Sequence, residues 1–194
     1  MIAPLSLLGS ADRWLLLKIN RDWTHSSLNA IMPVLTDLHK VPWFLYGVAP
    51  AGLAVWLWRG RKHALKVLVV AALAMGASDL IAYRVLKPWV ARPRPANAGV
   101  PVILRAPGSS YHGFPSNHAS NAGAAAAVLT VAYPGGAFAF AAIAAAIAYS
   151  RVYVGVHYPA DVIAGLLLGI AIGWPWAALM LGGPGRTSSK KKKR

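Results

Sequence analysis

The sequence predicts an all-α fold: a polytopic membrane helix bundle of about five to six transmembrane helices with an N-terminal amphipathic helix. Two observations support this fold class. Hydrophobic residues make up 57% of the 194 residues and charged residues only 13%, which is about half the charged share of a typical soluble domain. The apolar residues also form long runs, such as Ala64–Ala82 and Val162–Met180, close to the ~20 residues that cross a bilayer.

The N-terminal segment, residues 1–40, is predicted to lie along the membrane surface. Residues 11–23 place aromatic, aliphatic and basic side chains at roughly helical spacing, which favours an amphipathic helix in the interface. Residues 28–38 are apolar but too short to span, and Pro33 interrupts them. A sixth span in this segment is the alternative to five.

Residues 41–182 are predicted to form the transmembrane domain, and residues 183–194 form a basic C-terminal tail. Five apolar segments are the predicted spans: A (41–58), B (64–86), C (117–133), D (137–149) and E (160–181). The loop between B and C is polar and rich in Pro, Gly and Arg.

Span E carries glycines at every fourth position, Gly165, Gly169 and Gly173, and spans C and D are rich in alanine. Small residues on one face let helix backbones approach closely in a bilayer, where lipid competes for apolar contacts. We therefore expect close helix packing along this face of span E.

The net charge is +15, and all of the few acidic residues are Asp. Such an excess favours an anionic partner: nucleic acid, anionic lipid or a phosphate substrate. Nucleic acid is disfavoured because much of the basic charge lies between or beside apolar spans. Basic residues at span ends also set topology. Arg59–Lys62 and the tail share one predicted side, which we expect to be cytoplasmic in a bacterial inner membrane.

Three polar clusters interrupt the apolar chain, and all three fall on the opposite predicted side, facing the periplasm or exterior. The first runs from Lys87 to Pro95, the second is Phe114–His118, and the third joins Ser150 and Arg151 to His157 and Asp161. Chance rarely brings three such clusters to one side of a membrane protein, so they are the candidate site.

These clusters supply the parts of a phosphoryl-transfer site. Lys87, Arg94 and Arg151 provide three cations, and the planar fork of Arg matches phosphate oxygens. Ser116 and the backbone N–H groups at the start of span C can donate to an anion at a helix N-terminus. Phosphoryl transfer needs mainly positioning and charge stabilisation, so such a cradle is much of the catalyst.

Two histidines remain for making and breaking bonds. Asp161 follows His157 by four residues, close enough for its carboxylate to hold one ring nitrogen and leave the other free to attack phosphorus. His118 is then available to protonate the leaving oxygen.

The combined pattern resembles the signature of a known family. The motifs are Lys87-x6-Arg94-Pro95, Pro115-Ser116-x-His118 and Ser150-Arg151-x5-His157-x3-Asp161. They are similar to the three motifs of the type 2 phosphatidic acid phosphatase (PAP2) superfamily, over roughly residues 60–175. The resemblance implies His157 as nucleophile, Asp161 as its partner and His118 as acid. It also implies phosphate binding by Lys87, Arg94, Ser116 and Arg151.

One position departs from the family pattern. Asn117 stands between Ser116 and His118, where the family usually has Gly. Asn keeps the backbone N–H that binds phosphate and tolerates unusual backbone angles better than most residues. We therefore expect Asn117 to serve as a phosphate ligand and to add a side-chain contact.

For three other polar residues, the sequence allows either a functional role or a purely structural or solvated one. Asp79 lies inside span B and is either functional or paired with a nearby Lys or Arg, the reading that we favour. Arg92 and Arg105 either contact a second phosphate or head group, or are solvated in the loop. No metal or other cofactor is expected, since the sequence shows no His and carboxylate cluster with ligand spacing outside the third motif.

The resemblance implies an integral membrane phosphatase that acts on a lipid phosphate or diphosphate. Substrates of this family include undecaprenyl diphosphate, phosphatidylglycerophosphate and lipid A 1-phosphate. One alternative is a phosphotransferase that uses the same site, with a lipid hydroxyl in place of water. Another is a non-enzymatic membrane protein that binds anionic lipid, in which the histidines would be dispensable.

Overall fold

The computed structural model describes residues 3–108 and 110–182. In these residues the helices are α1 (Ala3–Leu17), α2 (Ser26–Thr36), α3 (Ala49–Ile81), α4 (Lys87–Val90), α5 (Asn117–Ala132), α6 (Ala137–Tyr153) and α7 (Pro159–Leu181). No β-sheet is present in this part of the chain, so the predicted all-α fold is confirmed. The predicted basic tail lies outside the described residues.

Three helical segments within the described ranges are long and apolar enough to cross a membrane: Phe44–Val90, Pro134–Tyr153 and Pro159–Leu181. They contain the predicted spans A and B, D, and E, respectively. Helix α5, the predicted span C, has 16 residues and is about 24 Å long. The count of five crossings stays a prediction.

The segment Phe44–Val90 folds back on itself within α3. Arg61 has a non-helical backbone, with φ 44° and ψ −124°. Phe44 and Met75 line the same cavity, although a straight helix would hold them about 46 Å apart. Spans A and B therefore form an antiparallel pair, and their connection is a sharp break at Arg61 rather than a loop.

Helices α5 and α7 pack with their backbones in close contact. A Cβ atom added at Gly173 would lie 2.6 Å from the carbonyl oxygen of Ala124, and one at Gly169 would overlap the carbonyl oxygen of Ser120. The glycine face predicted for span E is thus the contact face, and only glycine fits there. This contact places the first turns of α5 and α7 side by side, where two of the polar motifs begin.

The opposite face of α7 carries large apolar side chains. Ile163, Leu167 and Leu179 are exposed on the protein surface. Exposed branched aliphatic side chains opposite a buried glycine face suit a helix surrounded by lipid, where burying apolar bulk brings no gain over leaving it in hydrocarbon.

The N-terminal segment packs onto the bundle, and its position at the membrane surface stays a prediction. Leu16 and Ile19 are buried in a cluster that includes Tyr153 at the end of α6. The buried Asn20 amide donates to the carbonyl oxygens of Ile103 and Tyr153, at 2.9 and 2.8 Å. In addition, Pro33 lies inside α2 without ending it, so the expected interruption at Pro33 is wrong.

Candidate active site

The residues of the three polar motifs meet at one end of the bundle. The elements that carry them are α4, the loop from residue 91 to residue 116, the first turns of α5 and α7, the last turn of α6 and the α6–α7 link. Ser116, His157 and Asp161 are fully or almost fully buried, as are Lys87, Arg94 and Arg151. Burial of so many polar groups in an otherwise apolar chain marks this end as the candidate site.

His157 and Asp161 form a buried pair. Nδ1 of His157 lies 3.3 Å from Oδ2 of Asp161, and the same oxygen accepts from the backbone N–H of Tyr158 at 3.0 Å. The second contact belongs to a capping box at the start of α7, so the helix terminus itself fixes the carboxylate. The pair therefore holds the imidazole ring in one orientation.

The other ring nitrogen of His157 faces a guanidinium group. Nε2 of His157 lies 3.0 Å from Nη1 of Arg94. Because a guanidinium group only donates hydrogen bonds, Nε2 accepts one from Arg94. Burial lowers the pKa of His157 well below its ordinary value, and the charges of Arg94 and Arg151 lower it further. This environment keeps His157 in the neutral form, which is the form that a nucleophilic imidazole requires.

The cationic side chains are anchored by neutral oxygens. Lys87 Nζ donates to the Pro115 carbonyl oxygen at 2.9 Å. Arg94 donates through Nε to the Ser110 carbonyl oxygen at 2.7 Å and through Nη1 to that of Val156 at 2.9 Å. Among the described residues, neither Lys87 nor Arg94 has a carboxylate within 4.0 Å. Carbonyl oxygens fix the positions of these groups without cancelling their charge, as an anion site requires.

Arg151 is held from the N-terminal segment. Its Nη1 donates to Oγ1 of Thr36 at 2.6 Å and lies 3.9 Å from Oδ1 of Asp37. Its Nε is buried and has no hydrogen-bond partner among the residues that the structure describes. That unpaired donor leaves Arg151 with capacity for another acceptor, such as a phosphate oxygen.

Ser116 and Asn117 begin helix α5. Ser116 is the N-cap, and its Oγ accepts from the backbone N–H of Ala119 at 3.5 Å. The free backbone N–H groups of this first turn carry the positive end of the helix dipole. The Asn117 side chain turns away and donates to Oδ1 of Asp79 at 2.6 Å. Of the described residues, no Lys or Arg lies within ion-pair distance of Asp79, so the favoured ion pairing is wrong.

His118 faces a group that sequence reasoning missed. Nε2 of His118 lies 3.6 Å from Oδ1 of Asp37, and the rings of His39 and His118 are 5.7 Å apart. Ligand atoms of these three residues lie within 4.8 Å of one another, a grouping that sequence spacing does not show. Asp37 is also paired with Lys40 at 3.1 Å. A metal ion would have to compete with Lys40 for the Asp37 carboxylate.

Arg92 contacts two carboxylates rather than a free loop surface. Its Nη1 donates to Oδ1 of Asp161 at 2.9 Å, and its Nη2 donates to Oδ2 of Asp12 at 2.6 Å. Oδ1 of Asp12 also accepts from the backbone N–H of Ala160 at 2.8 Å. Helix α1 is thereby tied to the histidine–aspartate pair. Loop solvation is therefore wrong for Arg92, while contact with a second phosphate or head group stays a prediction.

Arg105 is likewise used inside the protein. Its Nη1 donates to the carbonyl oxygens of Asn20 and Tyr153, at 2.8 and 3.2 Å. It thus secures the loop between α4 and α5 to the N-terminal segment. Loop solvation is therefore wrong for Arg105, while contact with a second phosphate or head group stays a prediction.

Known proteins are similar to this chain in sequence and in architecture. An undecaprenyl-diphosphatase from Sulfolobus acidocaldarius is 35% identical over 112 residues, covering 57% of this chain and 52% of the relative. The crystal structure of a transmembrane PAP2 type phosphatidylglycerolphosphate phosphatase from Bacillus subtilis matches with a TM-score of 0.65 at 26% identity, covering 89% of this chain and 86% of that one. The structure of Aquifex aeolicus LpxE matches with a TM-score of 0.65 at 28% identity, covering 84% and 92% of the two chains.

The chain spans about half the length of the first curated relatives that it matches. The model of the PAP2 superfamily, by contrast, matches residues 48–182, which include all three polar motifs and most of the helical bundle. This protein therefore belongs to the PAP2 superfamily.

Proposed function

We propose that this protein is an integral membrane phosphatase that hydrolyses a lipid phosphate or diphosphate through a phosphohistidine intermediate, without a metal. One observation carries the proposal. The buried His157 has Nδ1 held by Asp161 and Nε2 placed 3.0 Å from Nη1 of Arg94. This is the geometry of an oriented nucleophile beside a phosphate-binding group.

The phosphate group is bound before chemistry begins. Its proposed ligands are Lys87, Arg94, Ser116, Arg151 and the backbone N–H of Asn117. Their positive charges offset the negative charge on the phosphate oxygens, which is the main demand of phosphoryl transfer. The same charges act on His157 and help to keep it neutral.

Two displacements complete the reaction. In the first, Nε2 of His157 attacks phosphorus and the P–O bond to the lipid breaks, while His118 gives a proton to the leaving oxygen. In the second, water attacks the phosphohistidine, His118 takes a proton from that water, and inorganic phosphate is released. Asp161 stabilises the positive charge that develops on the His157 ring.

A lipid substrate is supported by the surroundings of His118. An apolar cavity of about 640 Å³ lies beside it, lined by residues of α2, α3, α5 and α6 such as Leu35, Met75 and Ile143. Two proteins of similar sequence or structure are named for lipid substrates, undecaprenyl diphosphate and phosphatidylglycerolphosphate. We place the protein in a bacterial inner membrane with the site facing away from the cytoplasm.

The test is release of inorganic phosphate by the protein purified in detergent. A panel of lipid monophosphates and diphosphates is incubated with wild type and with His157→Ala, with and without excess EDTA. We expect wild type to release phosphate equally with and without EDTA, and the variant to release none. Phosphate release unaffected by His157→Ala, or abolished by EDTA and restored by Mg²⁺, contradicts the proposal. Transfer of phosphate to a lipid hydroxyl instead of water would identify a phosphotransferase.

A further inference from the structure

The apolar cavity beside His118 contains polar side chains that the proposed chemistry does not use. Asp79, Asn117 and Asn121 line it together with His118. Oδ1 of Asp79 accepts from Nδ2 of Asn117 at 2.6 Å and from Nδ2 of Asn121 at 3.5 Å. The rest of the wall is largely aliphatic and aromatic, so these side chains form a polar patch in an apolar chamber.

Hydrogen-bonding capacity in this patch remains open. Within the described part of the chain, both hydrogen bonds of the Asp79 side chain fall on Oδ1, which leaves Oδ2 available as an acceptor. In the same residues, Oδ1 of Asn121 is buried and has no hydrogen-bond partner. Buried polar atoms without partners cost stability. A ligand that supplies O–H donors here would remove that cost in addition to forming its own hydrogen bonds.

The patch lies where the leaving group of the substrate must pass. His118 protonates the leaving oxygen in the proposed mechanism, and Asn117 and Asn121 lie on the same helix, with one turn between them. Groups on the first few carbons after the ester oxygen would therefore meet Asp79. A hydrocarbon there would desolvate the carboxylate without compensation, and a second phosphate would meet like charge.

We propose that Asp79, Asn117 and Asn121 form a subsite for hydroxyl groups on the leaving alcohol. The substrate class is then a lipid phosphate esterified to a polyol, such as glycerol or a sugar, in preference to a polyprenyl phosphate or diphosphate. This inference rests on the proposed phosphatase function and adds the identity of the leaving group to it.

The test uses two substrates that differ by one hydroxyl group. They are 1-oleoyl-glycerol 3-phosphate and its 2-deoxy analogue, 1-oleoyl-propanediol 3-phosphate. A hydrogen bond to a charged group changes affinity by roughly tenfold or more. We expect wild type to favour the hydroxylated substrate by about that factor in kcat/KM, and Asp79→Leu to hydrolyse both at similar rates.

Two further variants separate recognition from folding. Leu80 is the neighbour of Asp79 and is 59% exposed on the outside of α3. The control variant Leu80→Ala should therefore keep the wild-type preference. Asn121→Ala removes the unpaired oxygen and should reduce the preference even if Asp79→Leu fails to fold. Equal wild-type rates on both substrates, or a preference that survives Asp79→Leu and Asn121→Ala, overturn the subsite. No phosphate release from any lipid phosphate overturns the phosphatase function instead.

Discussion

Aspartate supplies all the carboxylate side chains of this chain, and three of these residues contact the candidate site. Asp161 holds His157, Asp12 holds Arg92, and Asp37 lies between His118 and Arg151. A carboxylate in an apolar, strongly basic protein is costly unless it is paired. The scarcity of acidic residues therefore pointed to Asp12 and Asp37 as partners of site residues, which the spacing of the motifs did not reveal.

The two histidines should differ in how their loss depends on the leaving group. His118→Ala removes only the proton donor, a step that typically contributes about 10²–10⁴-fold. Because p-nitrophenol leaves without protonation, this variant should retain much more activity on p-nitrophenyl phosphate than on a lipid phosphate. His157→Ala should be inactive on both. Steady-state rates on the two substrates check this, and equal losses for His118→Ala would contradict its role as acid.

The burial of neutral His157 should make the fold sensitive to acid. Its pKa lies well below 6.5 in the native protein and returns to about 6.5 on unfolding. Below pH 6.5 the unfolded chain binds the proton and the native state does not, so stability falls as the pH falls. The loss approaches about 1.4 kcal/mol per pH unit for one group. The fall in stability ends at the native pKa, because below that pH both states bind the proton.

Thermal unfolding in detergent, followed by tryptophan fluorescence at pH 7.5 and pH 5.5, measures this sensitivity. His157→Gln has no proton to bind and should lose less Tm between the two pH values than wild type. An equal loss in both proteins would show that the ring is not held neutral.

At the scale of helices, the packing of α5 against α7 positions both halves of the site. The glycines of α7 bring its backbone against that of α5, and the first turn of each helix carries site residues. Gly169→Ala forces a Cβ into the Ser120 carbonyl, and overpacking of this kind typically costs about 1–3 kcal/mol. The variant should therefore show a lower Tm than wild type.

Gly76→Ala is the matched control, because a Cβ at Gly76 meets nothing within 4 Å. It should leave Tm unchanged or raise it slightly, since Ala favours a helix more than Gly does. If Gly169→Ala unfolds at the wild-type temperature, the close backbone contact between α5 and α7 is not present.

The helices were easier to predict from the sequence than the contacts between side chains that are distant in sequence. Apolar length and small-residue spacing are local properties, so spans D and E and the glycine face of α7 follow from the sequence. The break at Arg61 depends on one backbone conformation within a continuous helical pattern. Partners such as Asp79 and Asn117, or Arg92 and Asp12, are distant in sequence, and only the assembled bundle brings them together.

At the scale of the whole molecule, the basic turn and the candidate site lie at opposite ends of α5. His63 and Trp56, which flank the turn at Arg61, contact Tyr133 just beyond the end of α5. His118 lies in its first turn. From the positive-inside tendency we propose that the turn lies in the cytoplasm and the site outside.

Cysteine labelling tests this orientation, because the chain has no native cysteine. Ala98→Cys, in the exposed part of the loop between α4 and α5, should react with an impermeant maleimide in intact cells. Lys62→Cys, at the exposed turn, should react only after lysis. The reverse pattern would place the site in the cytoplasm.

The surroundings of the site differ on its two sides, and this asymmetry gives the two products separate exits. A small pocket of about 160 Å³ adjoins Arg94, lined by loop residues such as Asn97 and Ser110. The larger chamber beside His118 is mainly apolar. Under the proposed reaction, the dephosphorylated lipid diffuses sideways into the bilayer, while phosphate escapes into water. Each product therefore leaves for the phase that dissolves it, and recombination is suppressed by partitioning.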